Sequence, residues 1–113
     1  MADRRQQVFT LVVEVGRRAG DGLPEASTGA ALVCYAAGVD EAEAVRETVA
    51  LLKQADLAPL DVTGHGTLEE RLGHGDEVPG EERALMDRAA AENAVVVAQM
   101  TPFYGDDPTR DES

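Results

Sequence analysis

The sequence has one cysteine, no tryptophan and only four tyrosine and phenylalanine residues among its 113. With Cys34 alone, no disulfide can form within the chain. A chain of this length still buries roughly two-thirds of its unfolded surface, so it can fold without a disulfide or a structural metal. We therefore expect one domain over residues 1–104 and a cytoplasmic location, where a lone thiol stays reduced.

Long apolar runs are also missing. No segment approaches the roughly 20 apolar residues of a membrane-spanning helix. The first seven residues are mostly polar and lead straight into a strand-like segment, without the apolar region and cleavage site of a signal peptide. We expect no membrane partner.

Basic residues are scarce, with 10 Lys and Arg against 22 Asp and Glu, which gives a net charge of −12. Most of the excess lies in residues 40–92, where fourteen acidic residues face five basic ones. Binding to phosphates needs clustered Lys and Arg, so this composition argues against nucleic acid and anionic membranes as partners. It suits a basic protein partner, although solubility alone also explains an acidic surface.

The hydrophobic pattern predicts four strands and two helices. The predicted strands are residues 8–15, 30–37, 57–63 and 94–100, and the predicted helices are residues 41–55 and 81–92. Asp40 is expected to cap the first helix together with Glu43, and Asn93 to end the second in a left-handed conformation. Glycine-rich loops are predicted at residues 16–29 and from Gly64 to Gly80, with one possible helical turn at residues 67–72. Residues 105–113 are polar and acidic and predict a flexible tail.

This order, β-β-α-β-α-β, predicts an α+β fold of the ferredoxin-like kind, a two-layer α/β sandwich. Strands 2, 3 and 4 are each joined through a helix, so we expect right-handed parallel crossovers and a four-stranded mixed sheet. Both helices are expected on one face. The segment from Gly64 to Gly80 would then share an edge of the sheet with Tyr104, where ligands of open α/β sheets bind.

The strands do not alternate between apolar and polar residues, as strands with one wet face would. Val12 stands between Leu11 and Val13, and Val33 stands next to Leu32 and Cys34. An apolar sheet face of this extent needs a cover. We expect a homodimer packed sheet to sheet. The alternative is a monomer whose helices are divided between the two faces.

His65 and His74 are the only histidines, and each stands between two glycines. With Asp61 and Tyr104 they form the candidate ligand-binding set, and any metal would be held by the two histidines. Their nine-residue spacing matches no established metal motif, and exposed loop histidines beside turn glycines are the competing interpretation. We predict no cofactor.

The rest of the sequence offers no catalytic constellation. Cys34 lies within a predicted strand with no cationic neighbour, which indicates a buried thiol rather than a nucleophile. Arg17 and Arg18 lie in a loop that leads into another strand, so a solvated hairpin loop is favoured over a phosphate clamp. Acidic residues at both helix starts argue against a bound phosphate there.

These observations favour a non-catalytic interaction or regulatory module that forms a homo-oligomer, rather than an enzyme. One alternative is an enzyme or sensor that binds a metal or a small ligand through the loop from Gly64 to Gly80. Another is an acidic decoy or inhibitor that covers a basic protein surface.

Overall fold

A computed structural model describes residues 7–104 of the chain. It has an α+β fold with four strands and three helices. In chain order the elements are β1 (Gln7–Gly16), β2 (Gly29–Gly38), α1 (Glu41–Gln54), β3 (Ala58–Thr67), α2 (Leu68–Gly73), α3 (Gly80–Glu92) and β4 (Val95–Phe103). The tail predicted at residues 105–113 lies outside the described residues.

The four strands form one sheet in the order β3-β1-β2-β4, and every neighbouring pair is antiparallel. The expected mixed sheet is therefore wrong, and the ferredoxin-like order is not confirmed. The reason is the connection after β3. Thr67 lies opposite Phe9, Phe9 lies opposite Ala36, and Ala36 lies opposite Val95. The chain thus enters β4 at the end of the sheet where it left β3, so β4 runs in the direction opposite to β3.

The helices cover both faces of the sheet. Cys34 packs in one core cluster with Leu52 of α1, whereas its neighbour Tyr35 packs with Met86 and Ala89 of α3. Successive side chains of a strand point to opposite faces, so α1 and α3 lie on opposite sides. The expectation of two layers with both helices on one face was wrong. The divided arrangement explains why the central strands are apolar on both faces.

The predicted helix signals hold at the residue level. Asp40 accepts a hydrogen bond from the N–H of Glu43 at 2.8 Å, and the Glu43 carboxylate accepts one from the N–H of Val39 at 2.8 Å. Asn93 ends α3 with φ of 52°, the left-handed cap that its side chain tolerates. The predicted count of two helices was short by one, because the turn expected at residues 67–72 is the helix α2.

The loop between β1 and β2 is closed by one internal ion pair. Arg17 contacts the Asp21 carboxylate at 3.0 Å and also donates to backbone carbonyls of the same loop, including that of Pro24. Asp21 in turn accepts from the N–H groups of Arg18 and Leu23. The hydrogen bond from Arg17, followed by those from the two backbone N–H groups, lowers the pKa of Asp21 from 3.8 to about 2. The Arg17 guanidinium thus binds groups of its own loop.

Within residues 7–104, no helix combines the length and the apolar character that crossing a bilayer requires.

Asp21→Asn tests this ion pair through its pH dependence. A carboxyl whose pKa is lowered by folding stabilises the fold above its unfolded pKa, and this contribution is lost as the pH falls from about 4 to about 2. Urea unfolding at a series of pH values should show a shallower loss of stability over that range in the variant. Parallel curves for the two proteins would contradict this role of Asp21.

Leu32→Ala tests the position of the core. Leu32 is fully buried on the α1 side of the sheet, so we expect a loss of about 2–5 kcal/mol in the free energy of unfolding. The matched control is Leu60→Ala, since Leu60 is 71% exposed on β3, and it should change that free energy by less than about 0.5 kcal/mol. Equal losses of unfolding free energy in the two variants, measured by urea denaturation, would contradict the assignment of Leu32 to the core.

Candidate ligand-binding site

The end of β3 passes into α2 without an intervening loop. Gly66 has φ of +89°, and a Cβ there would lie 2.6 Å from a carboxylate oxygen of Glu70, so this turn favours glycine. A capping box follows. The Thr67 hydroxyl accepts from the Glu70 N–H at 3.1 Å, and the Glu70 carboxylate accepts from the Thr67 N–H at 2.9 Å. The turn brings α2 against β1 and β3.

Arg71 of α2 is at the centre of a polar network. Its side chain is only 15% exposed. Nη1 donates to the Thr10 hydroxyl at 3.1 Å and lies 3.5 Å from Oε1 of Glu82, while Nε lies 3.5 Å from Oδ2 of Asp76. Arg71 therefore links β1, the segment after α2, and α3.

Tyr35 extends this network to β2. Its hydroxyl donates to Oε1 of Glu82 at 2.9 Å, and its side chain packs under Met86 of α3. Burial, and then the hydrogen bond to Glu82, raises the pKa of Tyr35. The phenol is therefore neutral at physiological pH and acts as a hydrogen-bond donor to the carboxylate.

An open cleft of about 320 Å³ lies on this side of the sheet. Val12 and Val33 contribute apolar side chains from the central strands. Polar groups complete the lining: Thr10, Tyr35, His65, Arg71, Asp76, Glu82 and Gln99. The cleft therefore combines an apolar sheet surface with charges of both signs.

The structure brings together two of the four predicted site residues. His65 and His74 line one depression that adjoins the cleft and shares Arg71 and Asp76 with it. Asp61 does not line it, because it lies four residues before His65 on β3, opposite Glu14.

Tyr104 lies at the other end of the sheet. It follows Phe103, which is opposite Gly29 at the start of β2. The expectation that Tyr104 shares an edge with the loop from Gly64 to Gly80 was wrong, because β4 runs in the opposite direction to β2. In the described part of the chain, no group of three or more His, Cys, Asp or Glu side chains is arranged to hold a metal ion.

Sequence reasoning missed the residues that hold the cleft together. Arg71, Tyr35, Glu82 and Thr10 come from four different elements, so no short motif contains them. The available signals were a lone arginine within the predicted turn at residues 67–72 and a hydroxyl-bearing ring within an apolar strand. Neither signal identifies a partner.

Cys34 takes no part in the cleft. It is fully buried in the core cluster that includes Leu52 of α1, and burial raises the pKa of its thiol to about 11. The thiol is protonated at neutral pH and is inaccessible to a substrate. This agrees with the expectation of a structural cysteine.

The hydrogen bond between Tyr35 and Glu82 can be measured by a double-mutant cycle of Tyr35→Phe and Glu82→Ala. We expect a coupling of about 0.5–1.5 kcal/mol in the free energy of unfolding. The matched control cycle combines Tyr35→Phe with Glu81→Ala. Glu81 is the exposed neighbour of Glu82, so this cycle should give a coupling near zero. Equal couplings in the two cycles would show that Tyr35 has no specific interaction with Glu82.

Comparison with known proteins gives one family. The family model described as "Domain of unknown function (DUF8846)" matches residues 8–104. No curated protein and no solved structure matches the chain. The match covers almost all of the described strands and helices, and the chain therefore belongs to this DUF8846 family.

Proposed function

We propose that this domain is a non-catalytic interaction module that forms a homodimer through the outer edge of β4. The observation that carries the proposal is that β4 is a nine-residue edge strand without a charged residue. Such a strand presents backbone N–H and C=O groups that can pair with another strand. The proposed location is the cytoplasm, because the single buried cysteine fits a compartment in which thiols stay reduced.

The two edges of the sheet are protected to different degrees. β3 carries Pro59 and Asp61, and its pairing with β1 is interrupted by two register shifts. Prolines, charges and bulges are the usual protection of edge strands. β4 has one register shift, and Pro102 lies only near its end. In the described part of the chain β4 contacts β2, α1 and α3, which leaves its outer edge open.

The open edge carries an exposed apolar pair. Val97 is 43% exposed and Met100 is 45% exposed. They lie opposite Cys34 and Leu32, so both face the α1 side of the sheet. A strand added along β4 would shield this pair from water while its backbone pairs with the edge.

A second copy of the chain is the occupant that fits best. A strand that pairs antiparallel with its own copy satisfies both edges about a two-fold axis. None of the 22 acidic residues lies in β4, so no pair of carboxylates meets within the paired strands themselves. The contact is about 30 Å long and narrow, which supports a weak, concentration-dependent dimer. The dimer uses the edge rather than a sheet face because both faces carry helices.

Sedimentation velocity of the full chain over a concentration series tests the proposal. We expect a monomer–dimer equilibrium that shifts toward the dimer with added salt, because salt screens the repulsion between two copies of charge −12. Val97→Lys should return the chain to monomer, since it places two lysines at the paired edge. The substitution also lowers the net negative charge, so a general change in repulsion cannot explain a loss of dimer.

The matched control is Leu60→Lys, which makes the same change of charge and also replaces an exposed apolar side chain, on β3. This variant should still dimerise. A wild-type chain that stays monomeric at all concentrations would overturn the proposal, as would equal dimerisation by both variants. Tight capture of a basic protein that weakens with salt, without any dimer, would replace it with the acidic-decoy alternative.

A further inference from the structure

We propose that the cleft between the sheet and the helices α2 and α3 binds a small zwitterion of the free aliphatic amino acid class. The ligand carboxylate would contact Arg71 and its ammonium group would contact Asp76. This inference concerns the face of the sheet opposite α1 and does not depend on the dimer through β4.

The first observation is spare hydrogen-bonding capacity around the cleft. Within residues 7–104, the Arg71 guanidinium contacts Asp76 and Glu82 only at 3.5 Å, which leaves room for a closer partner. The side chains of His65 and Gln99 make no hydrogen bond in this part of the chain. Polar groups that converge on one concave surface with unused donors and acceptors are the usual recognition elements of a small-molecule site.

The second observation is the arrangement of charge. Arg71 lies between the carboxylates of Asp76 and Glu82, each 3.5 Å away. A simple anion would be repelled by the two carboxylates, and a simple cation would be repelled by Arg71. A zwitterion complements both signs, and its carboxylate can accept a charge-assisted hydrogen bond from the guanidinium.

The distances indicate which acid would meet the ammonium group. Charge-assisted hydrogen bonds are usually about 2.7–2.9 Å long, so neither acid holds Arg71 closely. Glu82 already accepts the Tyr35 hydroxyl at 2.9 Å. Asp76 has only the long contact to Arg71 within the described residues, and half of its side chain is exposed. Asp76 is therefore the acid that is available to a ligand.

The third observation is the apolar part of the lining. Val12 and Val33 are half-buried and lie directly opposite each other on β1 and β2. They provide a surface for a short aliphatic side chain next to the charged groups. The volume of about 320 Å³ is at the lower end of the range for small-molecule sites, which suits an amino acid rather than a nucleotide.

Titration of the ¹⁵N-labelled full chain with L-leucine and with L-valine tests the inference. Two probes with one charged group each serve as ligand controls: 4-methylpentanoate lacks the ammonium group, and 3-methylbutylamine lacks the carboxylate. We expect saturable shifts of amide signals at Thr10, Val33, His65 and Gln99 with at least one amino acid. Either single-charge probe should bind at least about tenfold more weakly, since it loses one charge-assisted hydrogen bond.

Asp76→Asn keeps the shape of the side chain and should weaken binding of the amino acid by about tenfold or more. The matched control is Asp61→Asn, which makes the same change on β3 outside the cleft and should leave the affinity unchanged. Val97→Lys should also bind normally, so failure of the dimer and failure of this site are distinguishable. Absence of shifts at the cleft with both amino acids would overturn the inference. Equal binding of 4-methylpentanoate, or equal affinity of the two Asn variants, would also overturn it.

Discussion

The structure depends on a central pair of strands, β1 and β2, that is apolar on both faces. Leu11 and Leu32 face α1, whereas Val12 and Val33 face the opposite side. Because neighbouring residues of a strand point in opposite directions, one helical layer cannot cover both sets. The chain must place helices on both sides of the sheet. The positions of α1 on one face and α3 on the other meet this requirement, whereas the direction of β4 follows from the connection after β3.

The helices cover the two faces of the sheet to different extents. The two candidate sites lie where the helices leave apolar residues of the sheet exposed. On one side, α1 packs over the middle of the sheet and leaves Val97 and Met100 of the edge strand exposed. On the other side, α3 covers Tyr35 but leaves Val12 and Val33 partly open beside it. The edge is apolar and suits a strand. The cleft is mixed in polarity and suits a small ligand.

Arg71 connects the polar cleft to the architecture of the fold. Its contacts to Thr10, Asp76 and Glu82 link the sheet to the segment after α2 and to α3. The same residue links the two helices to the sheet and lines the cleft, so replacing it would disturb the fold as well as the cleft. Asp76, by contrast, has a half-exposed side chain and contributes little to packing.

Much of the local structure could be predicted from the sequence, because local structure depends on neighbouring residues. The caps at Asp40 and Asn93, the burial of Cys34 and the approximate strand positions follow from side-chain chemistry and periodicity. The convergence of His65 and His74 was left open by the sequence, and only the passage of β3 into α2 brings them to one depression.

Only the tertiary structure decided the direction of β4 and the composition of the cleft. A strand pattern shows which residues alternate, but it carries no information on which neighbour the strand pairs with or in which direction. Tyr104 was therefore assigned to the wrong end of the sheet. The contacts between Thr10, Tyr35, Arg71 and Glu82 join residues up to 61 positions apart, and such contacts exist only after α2 and α3 have packed on the sheet. The sequence by itself determined the strands, the helices α1 and α3 and their apolar residues, and the packing of those residues decided which polar side chains meet.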